Sequence, residues 1–271
     1  MAVNNYVLAD LPKAEGERLR VQAEVWLEDV EVMLDAIGVD QGADCVDVGC
    51  GALGILEPLS RRVGPRGRVI GVDSDPSILA EADSFARERN LRNVELVLAD
   101  ASDTGLPRGS FDFVHCRFLL VFGHHDEIVC EMVALARPGG AVCCEETDQD
   151  SWNYFPTPRS WPYLKQLLER AFDTWGGDPN LARRLVSIVR DAGLSDVRVR
   201  SGVHAMQESH PYMRMPVLVL TGMRQVILDH GLVSAGDLDV MLADMEQAIA
   251  DQNTWANSFT VAQVWGRKPS A

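Results

Sequence analysis

A glycine-rich turn followed by an acidic residue is the part of this sequence whose spacing could bind a nucleotide cofactor. Gly49, Gly51 and Gly54 form a Gly-x-Gly-x-x-Gly pattern that begins at the end of an apolar run, residues 45–49. Asp73 ends a second apolar run about 20 residues further on, the distance at which dinucleotide sites place the acid that binds a ribose. Because glycines let the backbone approach phosphate and sugar groups closely, the pattern predicts a site for an adenosine-containing cofactor.

The acidic residues around this turn indicate which cofactor binds. Asp47 lies just before Gly49, at a position that strands binding a nicotinamide dinucleotide usually keep apolar. A pyrophosphate needs a helix N-terminus free of competing negative charge, whereas a carboxylate suits the cationic amino group and sulfonium of S-adenosylmethionine. Asp100 ends a third predicted strand, where it could accept a hydrogen bond from an adenine amino group. S-adenosylmethionine is therefore favoured, and the literal glycine pattern leaves a nicotinamide oxidoreductase as the alternative.

Strands and helices alternate along the first half of the chain. Apolar runs predict strands at 45–49, 68–72, 94–98, 111–116 and 141–145, and later at 196–203 and 259–265. Helical periodicity predicts helices at 13–37, 53–63, 76–89, 125–136, 163–175, 180–192, 211–230 and 235–251. This order predicts a doubly wound α/β fold, with a mostly parallel, seven-stranded sheet and helices on both faces. The two late, widely separated strands favour an antiparallel last strand.

The predicted elements divide the chain into three parts. Residues 1–40 form an N-terminal helical cap, residues 41–204 and 258–268 form the α/β core, and residues 205–257 form a helical lid inserted before the last strand. A length of 271 residues suits one large domain, or one domain with a subdomain.

Composition and charge exclude several classes of function. The net charge of −15 repels nucleic-acid backbones, so a small molecule is the expected partner. No apolar run approaches the roughly 20 residues that span a bilayer, and residues 1–5 lack the pattern of a signal peptide. The six cysteines form no Cys-x-x-Cys pair or zinc-like spacing, which predicts no metal site and a reducing, cytoplasmic environment. A homodimer is left open.

Five sequence motifs together resemble those of the class I S-adenosylmethionine-dependent methyltransferases that act on small molecules. The resemblance runs from about residue 10 to Lys268, and its motifs are 46–51, 71–73, 99–101, 111–114 and 137–140. It implies a Rossmann-like fold and S-adenosylmethionine as the cofactor, with S-adenosylhomocysteine as the product. One position departs from the family pattern, because Leu53 stands where the third glycine is usual and Gly54 follows it.

The resemblance also assigns residues to each part of the cofactor. The assigned residues are Asp47, Gly49, Cys50 and Gly51 at the methionine moiety, Asp73 and Ser74 at the ribose, Asp100 and Ala101 at the adenine, and Arg117, Phe118, Tyr6 and Gln22 around the methionine end. Tyr6 and Gln22 would close over the cofactor from the N-terminal arm.

Residues at the carboxyl edge of the sheet are candidates for the acceptor side. His124 and His125 follow the fourth predicted strand and open a helix at that edge, where ligands bind in such folds, so either could act as a general base. A structural role at the helix start is the alternative for both. The other candidates for contact with the acceptor are Glu146, Asp148, Trp152, Tyr154 and His204.

The expected activity is methyl transfer from S-adenosylmethionine to a small secondary metabolite, with an oxygen atom favoured over nitrogen or carbon. An in-line displacement needs the nucleophile held close to the methyl group in a site without water, and a general base is optional. The alternative is a protein that keeps the cofactor-binding fold without transferring a methyl group, either a cyclase or isomerase or a regulatory binding module.

Overall fold

The computed structural model describes residues 12–270, in which strands and helices alternate as predicted. The strands are β1 Asp44–Val48, β2 Arg68–Asp73, β3 Val94–Leu98, β4 Phe111–Arg117, β5 Ala136–Asp148, β6 Asn153–Phe155, β7 Ser195–Gly202, β8 Ala205–Met206, β9 Trp255–Asn257 and β10 Thr260–Arg267. The helices are α1 Pro12–Val25, α2 Leu27–Ile37, α3 Leu56–Val63, α4 Pro76–Glu88, α5 His125–Leu135, α6 Trp161–Asp173, α7 Leu185–Asp191, α8 Met215–Gly222, α9 Arg224–Asp229 and α10 Ala235–Ile249. None of these described helices is long and apolar enough to cross a membrane.

The central sheet has seven strands in the order β3-β2-β1-β4-β5-β10-β7. Strands β1 to β5 run parallel, whereas β10 is antiparallel to both of its neighbours, β5 and β7. This arrangement confirms the predicted doubly wound fold with an antiparallel last strand. Since the carboxyl ends of parallel strands meet at one edge, the residues that follow β1, β2, β4 and β5 come together there.

Apolar side chains fill both faces of this sheet. In β1, Cys45, Val46 and Val48 are fully buried, and they belong to two apolar clusters on opposite faces. A parallel strand that is buried on both faces forms a continuous apolar run in sequence, and for this reason the strand pattern predicted the core. All six cysteines are free thiols, and five of them are buried.

The prediction of a single helix over residues 13–37 is wrong, because the chain breaks at Trp26 between α1 and α2. The Trp26 indole is fully buried and stacks on Phe259 with ring centres 5.8 Å apart. Its Nε1 donates a hydrogen bond to Tyr212 Oη at 3.2 Å. Burial of this large side chain turns the chain, which periodicity along the two helices does not reveal. As a result, α1 reaches the carboxyl edge of the sheet.

The region after the fifth strand differs most from the prediction. The predicted helix 211–230 is divided into a 3-10 turn at Pro211–Arg214 and the helices α8 and α9. The short strands β6, β9 and β8 form a second, three-stranded sheet that no sequence pattern predicted. These strands have two or three residues each and pair across long sequence distances, so they carry no periodicity to detect.

Candidate cofactor and acceptor site

A cavity opens at the carboxyl edge of the sheet and encloses about 1270 Å³ of empty space, including its mouth. The glycine turn after β1 and the ends of β2 and β4 form one side of it. Residues of α1, α6 and α8 form the other sides, so that the predicted cap and lid both contribute to its wall.

The glycine turn has a shape that excludes side chains at two positions. Gly49 has a φ of +68°, and a Cβ atom there would lie 2.8 Å from a methyl group of Leu119. Gly54 has a φ of +43°, and a Cβ atom there would overlap the carboxylate of Asp47. Glycine tolerates both the backbone angle and the close approach. The late third glycine is therefore required by the position of Asp47, which explains the departure from the usual spacing.

Asp73 places a carboxylate on the cavity wall at the end of β2. Its Oδ2 accepts a hydrogen bond from the N–H of Gly51 at 2.9 Å, and its Oδ1 accepts one from the N–H of Asp75 at 3.0 Å. Burial raises the pKa of Asp73 above its usual value, although these N–H groups act to lower it. The remaining lone pairs of the carboxylate suit the hydroxyl groups of a ribose.

Small and apolar residues surround Asp73 on this part of the wall. They are Val72, Ile78, Ala99 and Ala101. Together with the close backbone approach at Gly49 and Gly51, an acid beside an apolar surface matches the chemistry of an adenosine. The residues present therefore fit an adenosine-containing cofactor.

Nine of the residues predicted from the sequence line this cavity. They are Gln22, Gly49, Gly51, Asp73, Ser74, Ala101, Arg117, Phe118 and Trp152. The guanidinium of Arg117 lies against the glycine turn, where it donates a hydrogen bond to the carbonyl oxygen of Gly54 at 3.0 Å. Tyr6 lies outside the described residues.

Three residues predicted at the cofactor do not line the cavity. Asp47 is buried beneath the glycine turn, where its Oδ2 accepts the N–H of Ile55 at 3.0 Å. Cys50 is also buried, and burial raises the pKa of its thiol well above the usual value. Asp100 closes its own turn, because its carboxylate accepts hydrogen bonds from the N–H and Oγ of Ser102 at 2.8 and 2.7 Å. In this structure the buried side chains of Asp47 and Cys50 lie behind the wall, and the exposed carboxylate of Asp100 is held in its own turn, so none of the three lines the cavity as predicted.

Aromatic and aliphatic side chains make up most of the remaining wall. They are Phe118, Val121, Phe122, Trp152, Leu168, Phe172, Met215, Pro216, Val219 and Phe259. The rings of Phe122 and Phe172 stack with centres 5.8 Å apart. Tyr154, which the sequence suggested for this wall, is instead fully buried and donates a hydrogen bond to the carbonyl oxygen of Met213 at 2.7 Å. Most of these residues were missed because they come from distant parts of the chain.

Alternation of side chains along β5 decides which of its residues reach the cavity. Thr147 on β5 lines the cavity, as does Gln149 in the turn that follows the strand. Their neighbours Glu146 and Asp148, which the sequence suggested for contact with the acceptor, do not, and Asp148 pairs with Arg183 at 2.8 Å. The alternation rule, applied to the end of this strand, could have identified Thr147.

Glu146 instead holds the segment that follows β4. Its Oε1 accepts the N–H groups of Leu119 at 3.1 Å and Leu120 at 2.6 Å, while its Oε2 has no hydrogen-bond partner among the described residues. Burial raises the pKa of Glu146 to about 8, although these N–H groups act to lower it. Phe118, in the same segment, has a φ of +54°, a backbone angle that is strained for a bulky residue. Glu146 therefore helps to hold a strained part of the cavity wall.

The three histidines proposed from the sequence do not line the cavity. His124 is exposed at the start of α5, and Nδ1 of His125 lies 2.8 Å from a carboxylate oxygen of Asp126. His204 Nε2 lies 2.8 Å from Asp29 Oδ2. Among the side chains of residues 18–270, no histidine, lysine, tyrosine or cysteine lines the cavity. The expected histidine base is thus absent from the described part of the wall.

Comparison with known proteins agrees with this fold. A family model described as a methyltransferase domain matches residues 45–140. The chain is 30% identical over 201 residues to the demethylmenaquinone methyltransferase of Geobacillus sp. (strain WCH70), which covers 68% of this chain and 85% of that relative. It is 37% identical over 112 residues to the nocamycin O-methyltransferase of Saccharothrix syringae, or 41% of this chain and 40% of that relative.

The fold is also similar to a solved structure of phosphoethanolamine N-methyltransferase 2 from Haemonchus contortus, bound to phosphomonomethylethanolamine and S-adenosylhomocysteine. The TM-score is 0.55 at 18% identity, over 90% of this chain and 53% of that one. The chain belongs to the class I S-adenosylmethionine-dependent methyltransferases. Its cofactor is S-adenosylmethionine, as predicted, and the nicotinamide alternative is wrong.

Proposed function

We propose that the protein methylates an oxygen atom of a small, apolar metabolite with an aromatic or polyketide-like ring system. The observation that carries this proposal is a set of aromatic side chains that shares one cavity with the glycine turn and Asp73. We call this set the aromatic wall, and its members are Phe118, Phe122, Trp152, Phe172 and Phe259. A concave, mostly apolar site with a few polar groups is typical of binding sites for small molecules. A relative that is an O-methyltransferase by name supports oxygen as the acceptor atom.

The cofactor end of the cavity is assigned to the residues that meet at the strand ends. In this proposal Gly49, Gly51 and Asp73 bind the cofactor, and Gln22 and Arg117 lie at its methionine end. S-adenosylmethionine, when bound, supplies a reactive methyl group on a sulfonium. The reactivity belongs to the cofactor, so the protein's task is to bind, orient and exclude water.

The acceptor end is assigned to the aromatic wall. Phe118, Phe172 and Phe259 come from three separate segments of the chain and would hold a ring in a defined orientation. Orientation of two reactants can contribute roughly 7–11 kcal/mol to lowering a barrier, so the proposal does not require a general base. His124 and His125 are given no catalytic role, since neither lines the cavity. We place the reaction in the cytoplasm, whose reducing conditions keep the six cysteines as thiols.

The test is incubation of the purified protein with S-adenosylmethionine and a panel of hydroxylated aromatic and polyketide compounds. We expect S-adenosylhomocysteine to form only when an acceptor is present, in equal amount to a product that carries a new O-methyl group by mass spectrometry and NMR. Consumption of a compound without S-adenosylhomocysteine would favour a cyclase or isomerase. Cofactor binding by calorimetry with no transfer to any compound would overturn the proposal.

A further inference from the structure

A continuous row of polar side chains runs across five adjacent strands, on the face of the sheet below the glycine turn. We call it the polar row, and its members are Asp47 on β1, His115 on β4, Glu145 on β5, Gln263 on β10 and Arg200 on β7. His115 Nδ1 lies 2.8 Å from Asp47 Oδ1, and His115 Nε2 lies 2.8 Å from Glu145 Oε1. Gln263 donates a hydrogen bond to Glu145 at 2.8 Å and accepts one from Arg200 at 2.7 Å.

The contacts of His115 define its charge. Both ring nitrogens face carboxylate oxygens, and two carboxylates can both accept hydrogen bonds only if the imidazole carries a proton on each nitrogen. Although burial lowers the pKa of His115, its hydrogen bonds to Asp47 and Glu145 raise it to about 9. The row therefore places a buried cation between two buried anions. Removal of one member of such a group is costly, because a charge is then left buried and unpaired.

The end of the polar row at β1 supports the cofactor site directly. The second carboxylate oxygen of Asp47 accepts the N–H of Ile55, which directly precedes α3, and it fills the space beside Gly54. The backbone conformation of residues 49–55 therefore depends on the orientation of the Asp47 carboxylate. Because the other oxygen of Asp47 is held by His115, that orientation depends on a residue that does not reach the cavity.

We propose that His115 is a positioning residue for the cofactor site: through Asp47 it holds residues 49–55 in the conformation that binds S-adenosylmethionine. A neutral or shorter side chain at position 115 would let the Asp47 carboxylate rotate and release the N–H of Ile55. Affinity for the cofactor would then fall, even though no atom that lines the cavity has changed.

The first test compares His115→Gln with a matched variant, Arg200→Gln, by calorimetry with S-adenosylhomocysteine. Arg200 is at the far end of the polar row, where it contacts Gln263 and pairs with Asp29 of α2 at 2.7 Å. We expect both variants to lower the thermal midpoint, and only His115→Gln to weaken binding, by tenfold or more. Equal affinity in His115→Gln and the wild type, or equal weakening in both variants, would overturn the proposal.

The second test uses the wild-type protein and does not depend on the folding of a variant. The ionisable groups that face His115 are Asp47 and Glu145, with Arg117 on the same strand and the thiol of Cys143 on β5. Burial raises the pKa of Cys143 well above its usual value, so this thiol does not titrate in the range of interest. NMR from pH 7 to pH 10 would follow the ring nitrogens of His115 and the amide of Ile55.

We expect the His115 ring and the Ile55 amide to change with one shared midpoint, because both hydrogen bonds end on the same carboxylate. Affinity for S-adenosylhomocysteine should fall in the same pH range in the wild type and in Arg200→Gln. Titration of the ligand itself changes its affinity equally in all variants. The pH dependence of the affinity of His115→Gln therefore serves as the baseline. An Ile55 amide that does not respond to titration of His115 would overturn the proposal.

Discussion

Gly54 occupies the space between the carboxylate of Asp47 and the carbonyl oxygen of Cys50, so residue 54 can carry no side chain. The sequence placed this glycine one position later than is usual in the family, without a reason. The tertiary structure supplies the reason, because Asp47 and Gly54 are brought together only when the turn closes over the end of β1.

Substitution of Gly54 by alanine should therefore damage the cofactor site. A Cβ atom would displace the Asp47 carboxylate from the N–H of Ile55, and the positive φ adds about 1–2 kcal/mol of strain. We expect Gly54→Ala to lower the free energy of unfolding by more than 2 kcal/mol, a value built from this strain and the lost hydrogen bond. It should also weaken binding of S-adenosylhomocysteine, as measured by calorimetry.

Gly105→Ala is the matched control for this variant. Gly105 also has a positive φ, +67°, but a Cβ atom there would meet nothing within 4 Å. We expect Gly105→Ala to lower the free energy of unfolding only by the backbone strain, and to leave the affinity for S-adenosylhomocysteine unchanged. If both alanine variants lost the same stability and kept the same affinity, the contact between Asp47 and residue 54 would have no effect on the site.

At the scale of elements, the conformation of the segment after β4 depends on hydrogen bonds to β5. Residues 118–122 supply Phe118, Leu119, Val121 and Phe122 to the cavity wall, and Glu146 on β5 accepts two of the backbone N–H groups of this segment. The sequence indicated that Glu146 belongs to the site, since it follows an apolar run at the ligand edge. Strand alternation directed its side chain beneath the wall instead of into the cavity.

Two replacements of Glu146 should separate what its hydrogen bonds contribute to stability from what its charge contributes. Glu146→Gln keeps an oxygen for Leu119 and Leu120, and the wild-type carboxyl with its pKa of about 8 is itself largely neutral at pH 7. Glu146→Leu leaves the buried N–H of Leu120 and the partly buried N–H of Leu119 without an acceptor, at a cost of about 1–3 kcal/mol for a fully buried group. We expect urea denaturation at pH 7 to show a loss of a few kcal/mol for leucine and less than about 1 kcal/mol for glutamine. Equal losses in both variants would contradict this role.

At the scale of the whole molecule, stability should fall as the pH rises from about 6 to 10. Folding raises the pKa of His115 from 6.5 to about 9 and that of Glu146 from 4.5 to about 8. A group with a raised folded pKa binds more protons in the folded state, so its contribution is complete below the unfolded pKa and is lost as the pH rises through the folded pKa. Glu146 should therefore lose its contribution from about pH 4.5 to 8, and His115 from about pH 6.5 to 9.

Urea denaturation between pH 6 and pH 10 measures this dependence. We expect the free energy of unfolding to fall by a few kcal/mol over this range, with the same sign for both groups. Glu146→Gln should remove the share of the decrease that belongs to Glu146, which ends near pH 8, and leave the share that belongs to His115, which extends from about pH 6.5 to 9. A stability that stays constant from pH 6 to pH 10 would mean that neither group keeps its proton in the folded protein.

Local patterns in the sequence were sufficient for the class of fold and for the cofactor. The strands β1, β2 and β4 are buried on both faces, so each is a short, largely apolar run, and the glycines and Asp73 lie within one stretch of chain. The aromatic wall could not be derived in this way. Phe118, Trp152, Phe172 and Phe259 share no spacing, and they meet only because four separate segments converge at one edge of the sheet.

The sequence by itself determined that this chain builds an α/β sheet with a site for S-adenosylmethionine after its first strand, because those features depend on neighbours in sequence. Only the tertiary structure decided which polar side chains face the cavity. His124, His125 and Glu146 lie in the expected segments and do not line it, whereas Thr147 does. The physical reason is that a side chain's direction depends on strand alternation and on buried partners from other strands, as the contacts of His115 with Asp47 and Glu145 illustrate.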